Sequence, residues 1–148
     1  MRIRSPLRSF GLVCGQFACL GAIVLSGPLI PASLLLLGLL LVGVGLGVWA
    51  LITMRLDRLS VLPDPLPHVE LVNTGPYSLV RHPMYTSLLI ATLAWVLAAP
   101  IWWRWGLWFS LLVVLVVKLS YEEQLLQRRF PGYDAYRKRT WRLVPFIW

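Results

Sequence analysis

Residues 32–54 read ASLLLLGLLLVGVGLGVWALITM, a run without one ionisable side chain. At 1.5 Å of rise per residue such a run makes a helix of about 34 Å, enough to cross a hydrocarbon layer of roughly 30 Å. Three further apolar runs flank it, at about Phe10–Leu29, Pro83–Ala99 and Trp103–Tyr121. The first breaks at Ser26-Gly27-Pro28 and Pro31, and the third is the shortest. Across all 148 residues, 58% are hydrophobic and only 14% charged, against about 25% charged in a soluble domain. The expected fold is therefore an all-α integral membrane protein of about four transmembrane helices, followed by a cytoplasmic amphipathic helical segment.

The net charge of +8 does not point to nucleic acid, because the cations fall between the apolar runs, where membrane topology places them. Arg2, Arg4 and Arg8 precede the first run; Arg55, Arg58 and Arg81 follow the second. Arg128, Arg129, Arg137, Lys138, Arg139 and Arg142 follow the fourth, and the opposite turns carry only Arg104. Both termini and the central connection are expected on the cytoplasmic side of the cell inner membrane. The N-terminus imitates a signal peptide, but its apolar run is long and has no small-x-small cleavage site, so a retained helix is expected. The organisation that follows is an N-terminal helical hairpin (1–54), a cytoplasmic connection (55–82) and a C-terminal hairpin with its tail (83–148). Pro63-Asp64-Pro65-Leu66-Pro67 makes the connection extended, and the apolar tail Leu143–Trp148 is suited to return to the membrane surface.

Gly43-x-Gly45-x-Gly47 lies inside an apolar helix with no preceding strand, so Gly43 and Gly47 read as a close helix-packing surface, within or between subunits. Trp102, Trp103, Trp105 and Trp108 read as an interfacial aromatic belt. Cys14 and Cys19 have no partners at metal-ligand spacing and read as small apolar residues at a helix interface; no metal is expected.

Two polar constellations stand out. In Gly75-Pro76-Tyr77-Ser78-Leu79-Val80-Arg81-His82-Pro83-Met84-Tyr85, Pro83 suits the first turn of a helix and His82 its N-cap. The partial positive charge of that helix end, with Arg81 and His82, would seat an anion; alternatively, His82 caps and Arg81 snorkels to lipid phosphate. Tyr121-Glu122-Glu123 ends the fourth run at the same depth. Adjacent helical positions diverge by about 100°, so one Glu is expected to face the site while the other turns outward, as in a Glu122–Lys118 pair. Anion-binding groups at one end and a carboxylate at the other suit a zwitterionic amino-acid moiety. Tyr133 and Tyr136, at i and i+3, would cover a ligand or simply pack.

Together, Gly75-Pro76-Tyr77, Val80-Arg81-His82-Pro83-x-Tyr85, Glu122-Glu123, Phe130, Tyr133-x-x-Tyr136 and Arg142-Leu143-Val144-Pro145 resemble the isoprenylcysteine carboxyl methyltransferase family, which is related to membrane phospholipid N-methyltransferases and thiol methyltransferases. The resemblance covers about Val69–Trp148; the first two helices match only in being apolar. It implies an S-adenosylmethionine-dependent methyltransferase acting on a lipophilic or small acceptor, with a cytoplasmic cofactor pocket walled by the last helices and the C-terminal segment. By similarity His82, Tyr85 and the backbone at Pro83, beside Arg81, contact the cofactor, and one of Glu122 and Glu123 takes its ammonium. Family members often carry Gly where this chain has Ser87, whose side chain would narrow the groove. Methyl transfer from a sulfonium depends mainly on alignment. A thiol or ammonium acceptor must lose a proton, for which His82, Glu122 and Glu123 are the candidate bases, whereas a carboxylate acceptor needs no base. Arg142 would steady an anionic head group. Two other readings are an NADPH-dependent membrane reductase similar to sterol reductases and a non-catalytic membrane adaptor. The few loop residues leave little room for a dinucleotide, and an adaptor makes no use of the joint Arg81-His82 and Glu122-Glu123 pattern.

Overall fold

The computed structural model describes residues 6–54 and 71–148, so Arg2, Arg4, Arg55, Arg58 and the Pro63–Pro67 segment lie outside the described residues. The described residues form five α-helices: α1 (Pro6–Leu25), α2 (Leu34–Met54), α3 (Pro83–Ala98), α4 (Trp102–Arg129) and α5 (Tyr133–Arg139), with a 3₁₀ turn at Gly75–Ser78. Among the described residues there is no strand; a single parallel bridge joins Val80 to Trp141.

α2 and α4 are long and apolar enough to cross a membrane; α3 is a shorter apolar helix, as is the described Ser9–Leu25 part of α1. α2 is apolar on every face, and Leu40, Gly43 and Ala50 are its buried residues. Leu34, Leu35, Leu41, Val42, Val48 and Ile52 stay exposed, an arrangement suited to lipid contact. α4 runs through Glu122 to Arg129 without interruption and stops before Pro131, where the missing N–H ends the helix.

The centre of the bundle is Ile23 of α1, Val96 of α3, and Leu111 and Leu115 of α4, with Cys19, Trp105 and Trp108 packed against them. The aromatic cluster is therefore divided. Trp102 is exposed, whereas Trp108 turns inward and donates from Nε1 to the Leu89 carbonyl at 3.2 Å. Cys14 likewise faces outward while Cys19 joins the core.

α2 packs on α3 through its glycines. A Cβ at Gly43 would stand 2.7 Å from the Ala91 nitrogen, and one at Gly47 would stand 2.9 Å from Ser87 Oγ. The small-residue surface thus serves a contact within the chain. It also relocates Ser87, whose hydroxyl bonds the Met84 carbonyl at 2.8 Å and faces α2 instead of narrowing a ligand groove.

Arg104 is buried, not a charge at an exposed turn. Its Nη2 donates to the carbonyls of Ile23 (3.1 Å) and Trp95 (2.8 Å), near the C-terminal ends of α1 and α3, where helix dipoles favour a cation. Gly27 makes the room, since a Cβ there would overlap the guanidinium.

Candidate functional site

The end of the bundle opposite Arg104 is built around the Gly75–Tyr85 segment. Gly75 has φ +56°, and a Cβ there would lie 2.8 Å from Thr53 Oγ1 at the end of α2, so both conformation and space require glycine. The 3₁₀ turn closes with Leu79 and Val80 N–H groups on the Pro76 carbonyl. The chain then runs beside the C-terminal tail: Trp141 N–H donates to Leu79 O, Arg81 N–H to Trp141 O, and His82 N–H to Arg142 O. Thr86 Oγ1 donates to Leu143 O at 2.8 Å, which holds the tail against the first turn of α3. Leu143 is buried there, while Phe146 and Ile147 remain exposed. Pro83 takes the first helical position and His82 the N-cap, although its ring makes no capping bond. The N–H groups of Tyr85 and Thr86 bond the His82 carbonyl, so they are not available as an anion seat.

Both glutamates of α4 reach this segment. His82 is buried and presents its two nitrogens to different carboxylates: Nδ1 lies 3.7 Å from Glu122 Oε2, and Nε2 lies 3.4 Å from Glu123 Oε1. The expectation that one Glu must turn away fails because the imidazole sits between the two directions. Lys118 does not pair with Glu122 on the outside; it turns inward to Gln16 Oε1 at 2.8 Å.

The two carboxylates have different surroundings. Glu123 is buried, with Oε1 2.7 Å from Arg81 Nε and Oε2 3.0 and 2.9 Å from Arg142 Nε and Nη2. Arg81 Nη1 donates to the carbonyls of Thr140 and Arg137, so its guanidinium ties α3, α4 and α5 together. It is committed to protein acceptors, not open as an anion seat or snorkelled to lipid. Arg142 also stacks on Trp148, its guanidinium carbon 5.0 Å from the ring centroid. Glu122 is 28% exposed, and its Oε2 accepts the Tyr85 hydroxyl at 3.0 Å. Tyr85 stacks on His82 with centroids 5.4 Å apart and planes 6° from parallel.

Tyrosines close the region. Tyr133 and Tyr136 are both buried, their rings 5.9 Å apart, and Tyr136 Oη donates to the Tyr77 carbonyl at 2.7 Å. Tyr77 Oη, Tyr133 Oη and Tyr121 Oη are buried without a hydrogen-bond partner. Such atoms are costly unless something else satisfies them. Burial, then the nearby Glu122 charge, pushes the Tyr77 hydroxyl well above the ordinary tyrosine range; burial and the Glu123 charge do the same for Tyr133. Both remain protonated donors. Tyr77 and Tyr121 stand within the two polar constellations of the sequence, but nothing in the sequence shows that their hydroxyls are left without a partner. Among the described residues no group of three His, Cys, Asp or Glu side chains is placed to hold a metal.

Residues 33–132 match the phospholipid methyltransferase family model. The chain belongs to that family. The match takes in α2, which the sequence resemblance had left aside, and this agrees with the glycine-mediated seating of α3 on α2. Members of this family are membrane methyltransferases, and two helices here have the length and composition to span a bilayer. Among curated relatives, the nickel-cobalt-cadmium resistance protein NccN of Alcaligenes xylosoxydans xylosoxydans is 37% identical over 82 residues, covering 48% of this chain and 34% of that protein. The chain thus spans about a third of that relative's length. No solved structure matches.

Proposed function

We propose that this family member is an S-adenosylmethionine-dependent methyltransferase whose cofactor region is formed by His82, Pro83, Tyr85 and Glu122, with Tyr77 and Tyr133 above them. The observation that carries this reading is the juxtaposition of a partly exposed carboxylate with buried, unpartnered donors. A zwitterionic amino-acid moiety has one end for each. Glu122 is assigned the ammonium, because both oxygens of Glu123 are already held by guanidiniums whereas Glu122 receives a single hydroxyl. The hydroxyls of Tyr77 and Tyr133 are assigned the carboxylate, and the stacked His82–Tyr85 pair forms the wall between.

When bound, S-adenosylmethionine supplies a methyl group on a positively charged sulfur. The protein's part is placement. Arg81, Glu123 and Arg142 are assigned positioning roles: they lock the C-terminal segment onto α3 and α4 and keep His82 and Glu122 in register. Arg142 is therefore moved from the head-group role to the Glu123 clamp. Four helices are assigned to the membrane, both termini to the cytoplasmic side of the inner membrane, and the 83–148 unit to cofactor binding. A lipophilic acceptor would enter from the bilayer, or a small carboxylate, thiol or amine from the same end as the cofactor.

The test is equilibrium binding of radiolabelled S-adenosylmethionine to the full chain in lipid nanodiscs. Saturable binding that weakens at least about tenfold in Glu122→Gln, the loss of one charge-assisted contact, is expected. Absence of cofactor binding, or NADPH binding in its place, would overturn the reading.

A further inference from the structure

Lys118 is a buried cation that the proposed cofactor region does not use. It lies on α4 one turn before Glu122, in the apolar stretch Leu111–Leu119, and is 3% exposed. An ammonium has three N–H donors. One is spent on Gln16 Oε1, at 2.8 Å, and the charge lies 5.4 Å from the centroid of the Tyr85 ring. Among the described residues, no carboxylate is within ion-pair distance of Lys118. Glu122, the nearest along the helix, is engaged by Tyr85 and faces His82.

Gln16 comes from the middle of α1 and is itself buried. It reaches Lys118 because α1 and α4 lie close at this level, where a Cβ on Gly15 would stand 3.6 Å from Val114. Two polar side chains from distant parts of the sequence therefore meet within apolar helices, and they meet against the ring that also contacts His82 and Glu122. Anchoring α1 to α4 would need only a neutral pair. A lysine brings a charge that is expensive to bury; Glu122 acts on it through space but not within ion-pair distance, and two N–H donors stay uncommitted. Its flexible stem lets the ammonium swing from Gln16 to an incoming oxygen.

We propose that Lys118, oriented by Gln16 and the Tyr85 ring, binds the oxyanion of the acceptor, so that the acceptor is an amphiphile with a carboxylate or phosphate head and an apolar tail in the bilayer. This rests on the methyltransferase reading and narrows its acceptor class: a head group whose only charge is an ammonium would be repelled. Lys118 is then a specificity-determining residue, one helical turn further from the C-terminal end of α4 than the Glu122 assigned to the cofactor.

The probes are tritiated dodecanoate and dodecyl phosphate, with dodecanol and dodecylamine as neutral and cationic controls. Each is titrated into phosphatidylcholine nanodiscs carrying the full chain, with empty discs as background and S-adenosylmethionine binding measured in the same preparations. At least one anion should bind the wild type above background. That affinity should fall about tenfold or more in Lys118→Gln, recover to within about threefold in Lys118→Arg, and weaken in Gln16→Leu. Binding by dodecanoate alone identifies a carboxylate head, and by dodecyl phosphate alone a phosphate head. Neither anion binding, equal binding in Lys118→Gln, or preference for dodecylamine overturns the proposal. If cofactor binding is intact while anion selectivity is absent, the Lys118 inference alone falls; if the wild type binds no cofactor, the methyltransferase reading falls. Should Lys118→Gln fail to insert, Lys118→Arg and Gln16→Leu still decide, because a change of less than twofold in anion affinity in Gln16→Leu counts against the proposal.

Discussion

Replacing Glu123 by Gln separates the clamp from the cofactor region. The Glu123 carboxylate is 4% exposed and meets two guanidiniums, Arg81 at 2.7 Å and Arg142 at 2.9 Å. Glutamine keeps the shape but removes the charge, and its NH₂ group must face a guanidinium donor. Breaking a buried ion pair from one side costs about 3–5 kcal/mol. Arg81, 8% exposed, falls under that figure at about 3 kcal/mol. Arg142 is 28% exposed and can rehydrate, so its share is discounted to about 1 kcal/mol. The sum, about 4 kcal/mol, corresponds to a melting temperature lower by about 8–16 °C at roughly 2–4 °C per kcal/mol for a chain of this size. Glu122→Gln is the internal comparison. It weakens one hydrogen bond, from Tyr85 at 3.0 Å, worth about 1 kcal/mol or about 2–4 °C. Tryptophan-fluorescence melting of both variants in the same detergent, beside cofactor binding at low temperature, reads both effects. Glu123→Gln should lose stability first and Glu122→Gln should lose affinity first. A Glu123→Gln melting point within 2 °C of wild type, or a larger stability loss in Glu122→Gln, would refute the division of labour.

Other outcomes follow from the same geometry. Gly43→Val places a Cβ 2.7 Å from the Ala91 nitrogen, so α2 and α3 must part, at a cost of about 1–3 kcal/mol. Gly45, with nothing within 4 Å, should accept Val within about 0.5 kcal/mol; thermal melting compares the two. Tyr133→Phe removes a buried hydroxyl without a partner, so it should raise the melting temperature slightly while weakening S-adenosylmethionine binding severalfold. Loss of both stability and binding would show that the hydroxyl has a partner in the free protein. Finally, burial, reinforced or partly offset by neighbouring charges, raises the hydroxyls of Tyr77, Tyr133 and Tyr136 above the ordinary tyrosine value of about 10. Above pH 10 the unfolded chain releases these protons before the folded one does, so the unfolded state binds fewer protons and stability falls as pH rises. Alkaline melting curves should decline from that point, and absorbance at 295 nm should show the tyrosinates of these three residues only on unfolding.

The apolar runs, the helix start at Pro83 and the meeting of His82 and Tyr85 with Glu122-Glu123 at one end of the helices were legible along the chain. Each is a local property: length against bilayer thickness, proline chemistry at a first turn, and polar residues where polarity is costly. The helix boundaries moved by a few residues, mainly because α4 continues as a polar helix past the apolar run, and hydropathy marks the end of apolarity and not the end of hydrogen bonding.

What only the tertiary structure decided is which partner each charge takes. Sequence alone leaves Arg81 a ligand, a lipid or protein as its partner; the parallel bridge between Val80 and Trp141 brings Thr140 to it, α4 brings Glu123, and the choice is gone. Arg104 passed as a topological charge until the ends of α1 and α3 met around it. Lys118 had Glu122 as its obvious local partner and instead found Gln16, 102 positions away. Composition and periodicity determine that the chain forms apolar helices with a polar cluster at their ends, since these depend on each segment against its solvent. The pairing of buried charges depends on distances between segments far apart in the chain, and those exist only after the helices have packed.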